Sequence, residues 1–214
     1  MTRIVRGLLS IGNGKLGSAI HTWSLPAIVT CPGATDVCRS ACYATKSRFL
    51  FPAVRERLQW NYEQSLTPTF ADRLAAEVKR KGCLVIRVHV SGDYFSPEYC
   101  ERWLWVMRKC PRPRYYWYSR SWVIPELARV LEQMAALRCC RAWYSVDALT
   151  GLPDRLAPGI RLAYLMTSQD EEPENVDLLF RVRKLRRKRL ALPMAVCPHE
   201  DGSANCGGCQ KCFQ

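Results

Sequence analysis

Histidine is scarce in this sequence, and the spacings that hydrolytic enzymes use are missing. Only three histidines, His21, His89 and His199, occur in 214 residues, and they lie far apart along the chain. The sequence contains no His-Glu-x-x-His pattern of a zinc hydrolase and no recognisable Ser–His–Asp arrangement. Hydrolysis is therefore poorly supported, and His89, which lies within a predicted strand, is expected to be a core residue.

Long apolar runs are missing as well. No stretch approaches the roughly 20 consecutive apolar residues that a membrane-spanning helix needs. Arg6 and Gly7 interrupt the short apolar stretch near the N-terminus, and no signal-peptide cleavage site follows it. We therefore expect a cytoplasmic protein that has no membrane partner.

Acidic residues are the minority charge. The chain has 19 Asp and Glu residues against 32 Lys and Arg residues, which gives a net charge of +13. Chains this basic commonly bind nucleic acid, and the charge is densest in the stretch 181–189. The alternative is a solvated face that keeps the protein soluble. Seven residues of this stretch are predicted to contact phosphates: Arg181, Arg183, Lys184, Arg186, Arg187, Lys188 and Arg189.

Cysteine, in contrast, is abundant. The chain has 12 cysteines, and because the cytosol keeps thiols reduced, clustered cysteines there indicate metal binding or redox chemistry rather than disulfides. Seven of them form two groups. The others are scattered among apolar residues and are predicted to be small core residues: Cys83, Cys100, Cys110, Cys139 and Cys140.

The C-terminal group carries the sharper motif. Its last part reads CGGCQKC, and a Cys-Pro pair lies upstream, so the predicted metal ligands are Cys197, Cys206, Cys209 and Cys212. A C-x2-C-x2-C run combined with a distant Cys-Pro is typical of a [4Fe–4S] cluster. Zinc is the alternative metal, since four thiolates also suit a tetrahedral ion.

The N-terminal group consists of Cys31, Cys38 and Cys42. The spacing of four residues puts Cys38 and Cys42 on one face of a predicted helix, and Cys31 lies in the preceding loop. Three thiolates can hold a [4Fe–4S] cluster and leave one iron open to a substrate or cofactor. The alternative is a structural site completed by a distant ligand such as His21, His89 or one of the last cysteines.

Strand and helix patterns alternate along the chain, from a predicted strand at 25–30 to a predicted last strand at 190–196. This alternation predicts an α/β fold class, a partial (β/α) barrel of about five or six mostly parallel strands. We assign residues 1–190 to this barrel domain. Residues 191–214 form a Cys-rich metal-binding segment that we expect to pack on the same domain.

Polar residues follow several of the predicted strands. In parallel α/β folds the ligand site lies at the carboxyl ends of the strands, so these residues should share one edge with Cys31. Four of the polar residues at this edge are predicted to be catalytic: Asp93, Ser119, Arg120 and Asp147.

Four stretches together resemble the phage and plasmid "gene product 88" family: CPGATDVCRSACYA, RVHVSGDYFSPEYCERW, WYSVDALTGLP and the closing cysteines. More distantly, the layout is similar to radical S-adenosylmethionine enzymes, which hold a cluster by three cysteines after the first strand of a partial barrel. Those enzymes space the three cysteines more closely than this chain does. The distant similarity implies S-adenosylmethionine as a cofactor, bound by Ser91, Gly92 and Asp93.

These features predict an iron–sulfur protein of phage or plasmid type with one or two [4Fe–4S] clusters. One hypothesis is a radical-type enzyme that acts on a nucleic acid or nucleotide. The alternative is a non-catalytic nucleic-acid-binding protein that clusters or zinc stabilise. A redox sensor or electron carrier with two clusters is the third hypothesis.

Overall fold

The structure is a computed structural model of the 214-residue chain, and it describes residues 6–171, 173–186, 196–202 and 204–214. Seven strands form one sheet in the order in which they occur along the chain. The first strand pairs antiparallel with the second, and all other pairs are parallel. The strands are β1 (Ser10–Ile11), β2 (Ile20–Trp23), β3 (Val85–Val88), β4 (Arg114–Ser119), β5 (Cys140–Val146), β6 (Ile160–Met166) and β7 (Leu178–Arg181).

Helices connect the strands from β2 to β5, whereas a turn joins β1 to β2 and loops join β5 to β6 and β6 to β7. The helices are α1 (Asp36–Ala41), α2 (Pro52–Leu66), α3 (Phe70–Lys81), α4 (Pro97–Lys109), α5 (Pro125–Ala135), α6 (Arg183–Arg186) and α7 (Cys206–Cys209). No helix among the residues in the ranges above is long and apolar enough to cross a bilayer.

The predicted α/β class with mostly parallel strands is confirmed, but the sheet has seven strands rather than five or six. No pairing joins β1 to β7 among the described residues, so the sheet is open. The predicted strand at 25–30 is wrong, because this stretch forms consecutive turns and Ile28 has a φ of 71°. The strand before the first cysteine is β2, which ends at Trp23. Of the predicted last strand, only Val196 is described, and it makes one parallel bridge with Leu179.

The ends of several helices follow from local sequence. Ser96 caps α4, since its side chain accepts a hydrogen bond from the Tyr99 N–H, and Pro97 occupies the first turn. Gly82 ends α3 with a φ of 58°, in the left-handed region that glycine tolerates. The N-cap of α1 is Thr35, whose side chain accepts the Cys38 N–H, and Asp36 is the first helical residue.

Alternating residues of the strands face two different layers. Tyr115 and Trp117 of β4 belong to the main core, which the buried faces of α3, α4 and α5 complete. Tyr116 and Tyr118 of the same strand point the other way and pack with residues of the C-terminal segment. We use the name second face for this side of the sheet.

The five scattered cysteines are core residues, as predicted: each is at most 9% exposed and belongs to the main core. His89 is a core residue too, and its Nε2 atom lies 2.7 Å from the Tyr99 hydroxyl. Burial, with a smaller contribution from the charge of Arg87, lowers the pKa of His89 to about 3, so the imidazole is neutral near pH 7.

The C-terminal segment covers the second face. The Cys206 N–H donates to the Lys15 carbonyl (2.8 Å), and the Gly207 N–H donates to the Leu16 carbonyl (3.0 Å). On the far side, the Trp143 indole donates to the Cys212 carbonyl (3.0 Å). The tail therefore spans from the turn between β1 and β2 to the middle of the sheet. The predicted domain boundary at residue 190 lies outside the described residues.

Glu77 of α3 anchors the N-terminal segment. Its buried carboxylate accepts hydrogen bonds from the Leu8 N–H (2.6 Å) and the Leu9 N–H (3.0 Å) and pairs with Lys81 (2.8 Å). Burial acts to raise the pKa of Glu77, but the hydrogen bonds from Lys81, Leu8 and Leu9 outweigh it and lower the pKa.

We predict that Glu77→Ala lowers the free energy of unfolding by at least about 2 kcal/mol, since two buried N–H groups lose their acceptor. Because the pKa of Glu77 is lowered in the folded state, its contribution is present at neutral pH and is lost as the pH falls through the folded-state pKa. Urea unfolding should show that the free energies of unfolding of the native protein and of Glu77→Ala differ at neutral pH and become similar at acidic pH.

The matched control for this experiment is Glu101→Ala. Glu101 is exposed on α4, and its replacement should change stability by less than about 0.5 kcal/mol. An equal loss in both variants would contradict the anchoring role of Glu77.

Candidate metal centres

The loop that carries Cys31 crosses the carboxyl edge of the sheet and pairs with the loop after β3. The Leu25 N–H donates to the Ser91 carbonyl (2.9 Å), and the Ser91 hydroxyl donates to the Leu25 carbonyl (2.8 Å). The Asp93 N–H donates to the Thr30 carbonyl (3.0 Å). The predicted cofactor loop at Ser91–Asp93 therefore lies directly against the segment that leads to Cys31.

Two glycines permit this close approach. Gly92 has a φ of +76°, and a Cβ atom there would lie 2.6 Å from the Thr30 hydroxyl oxygen and 2.6 Å from the Leu25 Cβ atom. A Cβ atom on Gly33 would collide with the main-chain carbonyl of Arg120. The Cys31 loop is therefore pressed onto the loops that follow β3 and β4.

Asp93 joins these two loops. One of its carboxylate oxygens accepts the Arg120 N–H (2.8 Å) and the Ser121 N–H (3.3 Å), and the other accepts the Tyr94 N–H (2.8 Å). Burial raises the pKa of Asp93 above its usual value, although these hydrogen bonds favour the ionised form.

Asp147 connects the end of β5 to the helix that carries Cys38. Its Oδ2 atom accepts the Thr35 hydroxyl (2.7 Å) and lies 2.9 Å from Nη2 of Arg120 in a buried ion pair. The Thr35 oxygen in turn accepts the Cys38 N–H (3.0 Å). On the other side, Asp147 Oδ1 accepts the N–H groups of Leu149 and Thr150.

The structure thus brings the predicted strand-end residues together with the Cys31 loop at one edge. The four residues predicted to be catalytic are all buried, with exposures of 6% for Asp93, 1% for Ser119, 8% for Arg120 and 0% for Asp147. Each of these side chains is already hydrogen-bonded within the protein. This arrangement suits residues that position the cysteine loop better than residues that face a substrate.

The thiols of the first group are half-buried. Burial, and next the nearby charge of Asp93, raises the pKa of Cys31 to about 12. Burial also raises the pKa of Cys38, and the guanidinium of Arg120 opposes this rise. Cys42 directly follows the last residue of α1. A metal that binds here must displace protons from these thiols.

The distant histidines proposed as a fourth ligand lie elsewhere. His89 is bonded to Tyr99 in the main core, and His21 lies close to the charges of Glu77 and Lys81 on α3. Neither contacts the first cysteine group.

The second group occupies the second face of the sheet. Its four thiols line one pocket together with Leu178 and Phe213: Cys197, Cys206, Cys209 and Cys212. The Asn205 side chain caps α7 by accepting the Gly208 N–H (2.8 Å), and the Tyr118 hydroxyl donates to the Cys212 sulfur (2.7 Å). Cys197 is held by its N–H, which donates to the Leu179 carbonyl (3.1 Å).

Two cations lie beside this pocket. The Cζ atom of Arg87 lies 5.9 Å from the centre of the Tyr116 ring and 5.5 Å from that of Tyr118, and the Lys15 ammonium lies 6.0 Å from the centre of the Phe180 ring. Burial raises the pKa of the Cys206 and Cys212 thiols, and the charge of Arg87 opposes the rise in both. In the described part of the chain, no carboxylate pairs with either cation.

Neither group forms a ready site for a single ion. Within the described ranges, no three His, Cys, Asp or Glu side chains are placed to hold a metal ion. A tetrahedral zinc site with Zn–S bonds of about 2.3 Å requires its sulfurs within roughly 4 Å of one another. The two groups are therefore gathered by the fold but are not contracted around a common centre.

The basic stretch is only partly available to a partner. Arg181 is 5% exposed, and its Nε atom lies 2.9 Å from Oε2 of the buried Glu200. Arg186 also pairs with Glu200 and donates to the Arg181 carbonyl. The side chain of Arg181 is therefore enclosed by this pair, whereas Arg183, Lys184 and Arg186 are exposed. Arg187, Lys188 and Arg189 lie outside the described residues, and the phosphate contacts of the stretch stay a prediction.

An open, mostly parallel sheet with cysteine groups at its carboxyl edge and on one face defines the class as an α/β protein. The family model described as Gene product 88 matches residues 5–214, and the chain belongs to this family. This confirms the resemblance inferred from the cysteine motifs.

Two curated relatives from phages are similar to the chain. The Gene 88 protein of Mycobacterium phage L5 is 30% identical over 175 residues, which cover 73% of this chain and 70% of the relative. The Gene 88 protein of Mycobacterium phage D29 is 28% identical over 222 residues, which cover 94% and 86%. No solved structure matches the chain. The more distant similarity to radical S-adenosylmethionine enzymes receives no support from these comparisons.

We predict that Gly33→Ala loosens the first cysteine group, because the added methyl group collides with main chain rather than with a flexible side chain. In the reduced, metal-free protein, alkylation of Cys31 and Cys38 should accelerate about tenfold for each 1.4 kcal/mol lost from the local stability of the loop. Mass spectrometry of the labelled peptides gives the rate at each cysteine.

Gly14→Ala is the control for this prediction, since a Cβ atom there meets nothing within 4 Å. Cys197 and Cys206 provide an internal reference. Equal rates at Cys31 in the Gly33 and Gly14 variants would show that the close approach does not hold the loop.

Proposed function

We propose that this protein is an iron–sulfur protein with two [4Fe–4S] clusters. Cys31, Cys38 and Cys42 hold the first cluster, and the four cysteines of the C-terminal pocket hold the second. The observation that carries the proposal is the pocket itself, which four cysteines line beside Arg87 and Lys15.

The charges around the pocket fit an anionic group. Partly buried cations are costly unless an anion compensates them, and no carboxylate of the described residues does so. Four thiols would be neutral and would leave the cations uncompensated. Four cluster-bound thiolates carry net negative charge and would compensate both.

The sequence motif favours a cluster over zinc. The four cysteines line one pocket, so one group could be bound by all of them. The C-x2-C-x2-C run with a distant Cys-Pro pair agrees with this choice.

The first group offers three thiols and lies at the carboxyl edge, where parallel sheets bind their ligands. When bound there, a [4Fe–4S] cluster would supply an iron with a free coordination position. Gly33, Thr35 and Asp147 would hold the ligands in place, since they fix the loop and helix that carry Cys31 and Cys38.

We further propose that the free position takes S-adenosylmethionine and that the protein acts as a radical-type enzyme on a nucleic acid or nucleotide. Strands in sequential order, with helices on one face, are the arrangement of an opened (β/α) barrel. The contact between the Ser91–Asp93 loop and the Cys31 loop supports a cofactor site at that edge.

The test begins with anaerobic reconstitution and analysis of iron, sulfide and zinc. We predict about eight iron atoms per chain and about four after the cysteines of either group are changed to alanine, as two [4Fe–4S] clusters require. Cys110→Ala, which removes a core thiol, should retain full iron. A protein that binds stoichiometric zinc and no iron would overturn the proposal.

The open coordination position is tested by electron paramagnetic resonance of dithionite-reduced protein. Addition of S-adenosylmethionine should shift the spectrum of the variant that keeps only the first cluster. It should leave unchanged the spectrum of the variant that keeps only the second. The variant that keeps the first cluster should also form 5′-deoxyadenosine. A fully loaded first cluster that shows neither change would remove the radical-type assignment and leave the iron–sulfur protein.

A second proposed function, nucleic-acid binding, is favoured by the exposed Arg183 and Lys184 of α6 and by the net charge of +13. We predict that Arg183→Ala with Lys184→Ala weakens duplex DNA binding and lowers the slope of log K against log salt by up to about 1.8, or 0.9 per lost contact. The charge-matched control is Lys79→Ala with Arg80→Ala, two exposed residues of α3. If the salt slopes of the α6 and α3 double variants are equal, α6 makes no specific phosphate contact and is a solvated segment.

A further inference from the structure

We infer that Arg87 sets the reduction potential of the second cluster, that is, the cluster held by the C-terminal pocket. This inference rests on the proposed function. Arg87 lies on β3 and faces the second face of the sheet, where it is surrounded by aromatic rings rather than by carboxylates.

The guanidinium of Arg87 is fixed in place. Its Nε atom donates to the His89 carbonyl (3.1 Å) within the same segment. Its Cζ atom lies over the rings of Tyr116 and Tyr118, which pack with Cys206 and Cys212. A long side chain that is held at both its hydrogen bond and its ring contacts keeps its charge at a constant distance from the pocket.

Tyr118 connects this cation to a ligand. The Arg87 guanidinium lies over the Tyr118 ring, and the hydroxyl of Tyr118 donates to the Cys212 sulfur at 2.7 Å. Hydrogen bonds to ligand sulfurs and local charge are two of the factors that set cluster potentials. Arg87 and Tyr118 act in the same direction, since both stabilise added negative charge on the pocket.

Reduction takes one electron from the external reductant and adds one negative charge to the cluster. A fixed positive charge stabilises the reduced form more than the oxidised form, and the effect is strong where the surroundings are apolar. Removal of the charge of Arg87 should therefore lower the potential.

The experiment uses the full chain with Cys31, Cys38 and Cys42 changed to alanine, so that only the second cluster is present. Potentiometric titration is followed by electron paramagnetic resonance. Arg87→Gln should change the ratio of reduced to oxidised cluster about tenfold at a given potential, which lowers the midpoint by about 59 mV. Arg87→Lys, which retains the charge, should shift the midpoint by less than half as much.

Arg129→Gln is the control, because it removes one exposed positive charge on α5. A fully loaded Arg87→Gln cluster whose midpoint equals that of Arg129→Gln would overturn the inference and leave the proposed function intact. Absence of iron in the parent chain would instead overturn the proposed function.

Arg87→Met is a second neutral replacement and is judged by the same midpoint if Arg87→Gln does not load. Loss of the cluster in both neutral variants, with retention in Arg87→Lys, would assign Arg87 to cluster assembly and overturn the inference as stated.

Discussion

The buried ion pair between Arg120 and Asp147 joins three loops that otherwise have little reason to meet. Asp147 follows β5, Arg120 follows β4, and the Thr35 hydroxyl reaches Asp147 from the start of α1. A buried pair of this kind costs desolvation, and removal of one partner leaves an uncompensated charge. The position of the first cysteine group therefore depends on a polar contact among residues that are distant in sequence. The sheet supplies the edge, and this contact fixes the loops on it.

The second face of the sheet is covered by the C-terminal segment rather than by a layer of helices. Helices α3, α4 and α5 pack on the main core, so the opposite side of the sheet would expose Tyr116, Trp143 and Leu178 to water without another cover. The C-terminal segment covers these residues instead of a second helical layer. A segment this short buries little apolar surface of its own, and cross-linking by a metal cluster is one way in which such segments gain stability.

Local patterns predicted the alternation of strands and helices, because apolar periodicity and helix ends such as those at Ser96 and Gly82 depend on neighbouring residues. The prediction failed at β2, where His21 and Thr22 interrupt the apolar pattern, and at 25–30, where a run with Pro26 forms turns. Such errors arise because a short strand inside a sheet is stabilised by its neighbours rather than by its own sequence.

The parts of the candidate sites that belong to sequence motifs could be predicted. Cysteine spacing identified both groups, and strand-end polar residues identified the edge. The pairing of Arg120 with Asp147 could not be read from the sequence, since it depends on distances in the folded chain. The pairing of Arg181 with Glu200 could not be read from the sequence for the same reason, because Glu200 lies beyond the basic stretch. Arg87 gave no signal, since a single arginine in an apolar strand belongs to no motif.

The link between the turn after β1 and the cysteine tail has a consequence for biosynthesis. The Lys15 and Leu16 carbonyls accept hydrogen bonds from residues 206 and 207, so these late residues must leave the ribosome before that pocket closes. The contacts that fix the Cys31 loop are complete once the chain has been made through Thr150. Translation thus imposes an order, in which the contacts of the edge site can form earlier than those of the pocket on the second face.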